Sequence, residues 1–176
     1  MMITRKKWTR IILGGCLVMA WAGLLLPGAA ARETAAKKVV GATEVIHVVD
    51  VDLDFVARID TGARTTSINA QEIKIDHPAA KKKDNIGKKI SVLLVNGKGE
   101  KRRLETVIVD ALQVRNAQGV ETRYMIPLTL RWQGIEKVIK VNLRDRRAMT
   151  YKLLIGRDWL SGDFVVDVDR NPGKRK

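Results

Sequence analysis

From position 39 onward the apolar residues of this chain come in short runs rich in valine and isoleucine, cut by glycine and asparagine. Side chains that branch at Cβ fit a pleated, half-buried surface, so these runs predict strands. Positions 44–53 form one run and lead into Phe55-Val56-Ala57-Arg58-Ile59. Positions 89–95 form another, and the Asn96-Gly97 pair after them is a strong hairpin signal. Runs at 104–109 and 111–115 follow, then a turn at Asn116-Ala117-Gln118-Gly119. Positions 121–132 predict a strand that is interrupted or lies at a sheet edge, because Pro127 has no N–H to give a ladder. It turns at Gln133-Gly134 into 135–143, where apolar and polar residues mix without strict alternation. Short strands at this spacing predict an all-β barrel or sandwich.

Two segments depart from this pattern. Positions 79–87 are polar and lysine-rich, which predicts a mobile loop or a long hairpin tip. Arg157-Asp158-Trp159-Leu160-Ser161 predicts the one short helix, after the apolar run Leu153-Leu154-Ile155-Gly156. Positions 164–168 form a last strand, and 171–176 a disordered tail. Trp132 and Trp159 are read as packing or interface residues.

The first residues follow a different logic. Arg5, Lys6, Lys7 and Arg10 precede an apolar run at 11–26, a Pro27-Gly28 break and Ala29-Ala30-Ala31. This is the layout of a secretory signal peptide, cleaved after position 31. An uncleaved anchor is the alternative, although the run is shorter than the ~20 residues that usually span a bilayer. Leu13-Gly14-Gly15-Cys16 has the form of a lipobox, but only three apolar residues precede Gly14 and the run continues beyond Cys16. The reading is therefore a leader at 1–31, a linker at 32–43, a domain at 44–170 and a tail at 171–176, exported to the periplasm or envelope. Cys16 is the only cysteine. The exported part then has no disulfide, no cysteine-bound zinc and no thiol nucleophile, and stability must come from a packed core.

The formal charge is +14, and setting aside the leader's four basic residues takes it to +10. Such an excess suits acidic substrates or a loose association with anionic envelope surfaces. Lys81-Lys82-Lys83, Lys101-Arg102-Arg103 and Lys174-Arg175-Lys176 read as solvated faces. No motif interleaves aromatic and basic residues, so nucleic acid is not expected as a partner.

The candidate chemistry begins at Ile59-Asp60-Thr61-Gly62-Ala63, where a strand ends in an acid, a hydroxyl residue and a glycine. Such a turn holds a carboxylate beyond the strand end. Gly62 permits close backbone approach and positive φ, and the Thr61 hydroxyl can lock the turn. Alone, this is an ordinary strand-ending turn. Ninety-four positions after Gly62 comes Gly156, within Leu154-Ile155-Gly156-Arg157. The pair, with a short helix after it, resembles the signature of retropepsin-like aspartic peptidases over about 44–169. The match is closer still to the bacterial group historically labelled "ATP-dependent zinc protease", through Ala57-Arg58-Ile59-Asp60-Thr61-Gly62-Ala63-Arg64-Thr65 and Asp145-Arg146-x-x-Met149.

The resemblance implies a closed barrel with one short C-terminal helix. It also implies a catalytic loop of Asp60, Thr61 and Gly62, supported by Ala63, Arg64, Thr65, Ile155, Gly156, Arg157 and Asp158. In such enzymes two aspartates share one proton around a water. With a single Asp-Thr-Gly, the chain is expected to pair with a second copy about a two-fold axis and act on peptide or protein. The rival reading is a non-catalytic peptide- or partner-binding module on the same fold. The histidines, His47 and His77, form no His-Glu-x-x-His pair, and no glycine-rich phosphate loop is present, so no metal and no cofactor are expected. Relatives in viruses place an Asp where this chain has Arg64. Arg157, Arg64 or both are therefore expected to pair with Asp158, Asp163 or Asp167. A hairpin at Asn96-Gly97, or the loop at 81–87, is expected to close over substrate.

Overall fold

The structure is a computed structural model that describes residues 36–116 and 119–171. The leader, positions 32–35 of the linker and positions 172–176 of the tail lie outside the described residues.

Eleven strands and one helical turn follow one another: β1 Lys38–Val40, β2 Thr43–Val48, β3 Leu53–Ile59, β4 Ser67–Ile75, β5 Lys89–Val95, β6 Lys101–Val107, β7 Asp110–Asn116, β8 Gly119–Trp132, β9 Ile135–Arg144, β10 Leu153–Ile155, α1 Arg157–Leu160 and β11 Phe164–Val166. The fold is all-β, as the apolar runs predict. β10, β3, β2, β8, β9 and β4 follow one another in a sheet, and β10 also pairs with β4, which closes a ring. The ring is not a plain barrel. The β5–β6 hairpin extends it from β4, and β7 branches from β8. β1 and β11 form a separate parallel pair.

Alternation builds the core. In β3, Leu53, Phe55, Ala57 and Ile59 are buried while Asp54 and Arg58 are exposed, the period of two that a one-sided strand requires. Ile126, Leu128 and Leu130 of β8 repeat the pattern and are fully buried. Trp159 stacks on Phe164 with ring centroids 4.2 Å apart, and Trp132 meets Phe164 edge-on at 5.7 Å. Trp132 Nε1 also donates to the buried Glu44 carboxylate at 2.9 Å. Both tryptophans are thus packing residues.

Three expectations need correction. Lys38–Val40, assigned to the linker, form β1, because they find a backbone partner in β11. Pro127 does not interrupt β8. One edge of β8 pairs there with β9. On the other edge the β7 ladder ends at Met125 and the β2 ladder begins at Leu130, so Pro127 occupies an unpaired stretch. The segment at 79–87 is anchored rather than loose. It contains a 3-10 turn at Lys82–Asn85, and Asn85 is 1% exposed. The Asn85 amide accepts from Ala79 N at 2.7 Å and donates to Ala79 O and to the Tyr124 hydroxyl.

Removing that amide leaves the part-buried Ala79 N–H and carbonyl without those partners. Asn85→Ala is expected to cost about 1–3 kcal/mol in urea unfolding and to speed tryptic cutting at 81–83. An unchanged digestion rate would show that Asn85 does not pin the segment.

Candidate active site

β3 carries the chain out of the ring at Ile59, whose Cα partner in β10 is Ile155. The parallel ladder runs one step further, with Asp60 N donating to Ile155 O at 2.9 Å. The chain then turns back on itself. Asp60 Oδ1 accepts from Gly62 N at 2.9 Å and from Ala63 N at 3.2 Å, an Asx-type turn closed by the carboxylate itself. Oδ2 has no hydrogen-bond partner among the described residues, and the half-buried side chain lines an open cleft of about 620 Å³ with Arg58, Thr61, Val166 and Val168.

The loop is held from behind by the segment at 155–158. Arg157 N donates to Ala63 O at 2.9 Å and Asp158 N to Arg64 O at 3.3 Å. Gly156 N donates to the Thr66 hydroxyl at 3.1 Å. The Asp158 carboxylate receives Thr66 N at 2.8 Å on one oxygen and the Thr66 hydroxyl at 2.7 Å on the other. A Cβ on Gly156 would lie 2.7 Å from the Thr65 carbonyl carbon and 2.9 Å from its oxygen. Glycine is thus required there by contact between two backbones. Ala63, Thr65, Ile155, Gly156 and Asp158 therefore surround the Asp60 turn.

The details differ from the sequence reading in four ways. Gly62 does not adopt positive φ; its lack of a side chain matters because a Cβ would sit 3.1 Å from Asp60 Oδ1. The Thr61 hydroxyl makes no hydrogen bond among the described residues. The Thr61 and Gly62 carbonyls instead accept from Arg157 Nη1 at 2.8 and 3.1 Å, and the threonine that ties the loop is Thr66. Neither Arg157 nor Arg64 forms an ion pair among the described residues. Asp158 is taken by Thr66, and successive residues of a helical turn point about 100° apart, so Arg157 faces the loop carbonyls instead. Asp163 pairs with Lys137 at 2.7 Å, and Asp167 accepts from Asp169 N.

The fourth correction concerns the covering hairpin. The buried Asn96 donates to Asp54 O at 2.9 Å, at the start of β3. That places the Asn96-Gly97 turn about 20 Å from Asp60, at ~3.3 Å per strand residue. The β7–β8 hairpin lies over the loop instead. Between them is a cleft of about 330 Å³, with Thr65 and Ser67 on one wall and Leu112 and Val114 of β7 on the other.

Five arginines line this cleft and no acid does: Arg64, Arg115, Arg123, Arg144 and Arg146. Burial pushes the Arg146 guanidinium below its usual pKa, and Arg144 and Arg123 push it the same way, against the charge of Asp60. Next in sequence, Arg147 is already matched. It grips the Asp145 carboxylate and holds it below the usual carboxylate range. In sequence Asp145-Arg146-Arg147 reads as a turn with surface charges, and only the match to the bacterial group suggests a role near the site; Arg146 stands in the cleft wall beside the loop. Asn142 was missed; its amide donates to the Thr65 hydroxyl and to Thr66 O.

Among the described residues no three His, Cys, Asp or Glu side chains gather to hold a metal. His47 bonds Asp54 at 2.8 Å, at the strand end remote from Asp60, and His77 is exposed.

The family model described as RimB-like, retropepsin-like aspartic endopeptidase RimB, matches residues 39–176. Curated relatives are named "Probable alpha-L-glutamate ligase". That of Shewanella halifaxensis is 29% identical over 112 residues, 63% of this chain and 24% of that protein. That of Parasynechococcus marenigrum is 32% identical over 112 residues, 63% of this chain and 23% of that protein. The chain spans about a quarter of the length of these relatives. A crystal structure of a Legionella pneumophila protein of unknown function is similar in fold, with a TM-score of 0.63 and 23% identity over 79% of this chain and all of that one.

The backbone crossing sets a stability test. Gly156→Ala is expected to cost about 1–3 kcal/mol through overpacking, lowering the urea midpoint. Gly62→Ala, which meets only a side-chain oxygen, costs less. Equal midpoints for the two variants would contradict the account of the crossing.

Proposed function

The chain belongs to the family of the retropepsin-like aspartic endopeptidase RimB, and from that premise we propose that it hydrolyses peptide bonds in acidic, glutamate-rich chains, at a site completed by Asp60 of a second copy. The observation that carries the reading is the state of Asp60. One carboxylate oxygen is fixed by two backbone N–H groups, and the side chain lines an open cleft in which no second aspartate stands.

One aspartate is half of the required machinery. Two carboxylates brought within hydrogen-bond reach of one water cannot both stay ionised cheaply, so the pair keeps one proton. The ionised member takes a proton from the water, whose oxygen attacks the peptide carbonyl. The protonated member donates to that carbonyl oxygen as it gains charge. Collapse of the tetrahedral species breaks the C–N bond, and a carboxyl proton passes to the leaving amine. The exposed Val165 and Val168, together with Val39, lie on β1, β11 and the segment after it. They give a second copy an apolar face to cover beside that cleft.

The acidic substrate is supported by the arginine cleft next to the loop, which would repel a basic peptide and attract a carboxylate-rich one. It is supported too by the relatives' name, which sets a stretch like this chain within proteins named for joining glutamate. The leader read in the sequence puts the reaction in the periplasm or at the envelope.

Purified protein should be incubated with acidic and neutral peptide libraries over a pH series, wild type beside Asp60→Asn. Loss of about 10²–10⁴-fold in cleavage is expected, with the melting temperature retained and specific activity rising with protein concentration as dimers form. An Asn variant that cleaves as fast as wild type would refute the mechanism. Peptide binding without any cleavage by wild type would favour the non-catalytic module.

A further inference from the structure

We propose that Arg146 is a specificity-determining residue: its guanidinium binds one carboxylate side chain of a peptide lying in the cleft between the Asp60 loop and the β7–β8 hairpin. This rests on the peptidase reading above and assigns its acid preference to one atom group.

The five arginines of the cleft are not equivalent. Arg64 and Arg115 are exposed and Arg144 half-buried, so water satisfies them at little cost. Arg123 is buried but matched, with its Nη2 2.6 Å and its Nε 2.8 Å from the Glu121 carboxylate. Arg146 is 6% exposed and has no acidic partner among the described residues. A charge taken out of water without a counter-ion costs several kcal/mol. Among the described residues no carboxylate comes within ion-pair distance to relieve that cost, and Asp60 favours the charge only from farther off. The neighbouring Arg144 and Arg123 carry the same charge and add to the cost.

The side chain is nonetheless held in place. Arg146 N donates to the Asn69 carboxamide at 2.8 Å, and Arg146 Nε donates to Tyr151 O at 3.1 Å. Asn69 is fully buried and tied to Val95 O at 3.0 Å. The terminal Nη groups make no hydrogen bond among the described residues, and they are not sealed from solvent. They open on the cleft wall that Arg146 shares with Ser67, whose buried hydroxyl also lacks a partner. A guanidinium fixed by Nε with both Nη groups open is a fork ready for a planar carboxylate. Lysine in the same place would lack the second contact and the fixed plane.

The test pairs enzyme and substrate changes. A glutamate-rich peptide is scanned by single Glu→Gln replacements against wild type, and against Arg146→Lys and Arg146→Gln once their folding is checked by melting. One scanned position should lose about 10- to 100-fold in kcat/KM with wild type, the range of a charge-assisted hydrogen bond, mainly in KM. Arg146→Gln should lose as much on the parent peptide and gain no further loss from the Gln peptide at that position. Arg146→Lys should fall between. An even scan with wild type, which needs no variant to fold, would overturn the assignment. So would an Arg146→Gln variant that slows acidic and neutral peptides alike. Neither result touches the peptidase reading, which fails if Asp60→Asn still cleaves or if wild type binds peptide without cleaving it.

Discussion

The site depends on two backbones lying closer than any side chain would allow. Gly156 passes so near Thr65 that a methyl group has no room, and around this contact eight main-chain and side-chain hydrogen bonds join residues 60–66 to the segment at 155–158 among the described residues. Asp60 itself contributes little to its own placement. It ends a buried strand, closes a short turn with one oxygen, and is steadied by a segment nearly a hundred positions away. The carboxylate is rigid because its support is backbone, which has few alternative positions once the ring is closed.

Much of this was legible in the sequence. β-branched runs and glycine or asparagine turns are local signals, so β3, β5, β8 and α1 could be read within a few residues. The Asp60 and Gly156 motifs were legible as a pair through their resemblance to the retropepsin-like signature, and the fold sets the two backbones against each other. What was not legible depends on burial. Asn85 looks like one more polar residue in a lysine-rich loop until its amide is seen facing Ala79 and Tyr124. Thr61 and Thr66 are equivalent in sequence, and only the fold decides that the buried one does the tying. The β1 strand is three residues long, too short to show a period, and the covering hairpin could be assigned only after register placed Asn96 at the far end of β3.

Charge shows the same division. A net excess of positive residues is a property of composition and says little about where it acts. Most of it lies on solvated faces. The exception is the cleft beside the loop, where strand register sets Arg123 of β8 and Arg144 of β9 together and the turn after β9 adds Arg146. Opposite charges are matched in Arg147 with Asp145 and in Lys137 with Asp163, whereas Arg64, Arg115, Arg144 and Arg146 share this cleft with no ion pair among the described residues.

β10 has only three residues, yet it pairs with both β3 and β4 and so closes the ring. Its partners lie about a hundred positions earlier, which makes the closing step one of high contact order. During synthesis, every other strand of the ring emerges before it. The carboxylate turn therefore acquires its backing only after every other strand of the ring has been made, and until then its loop has no backbone behind it.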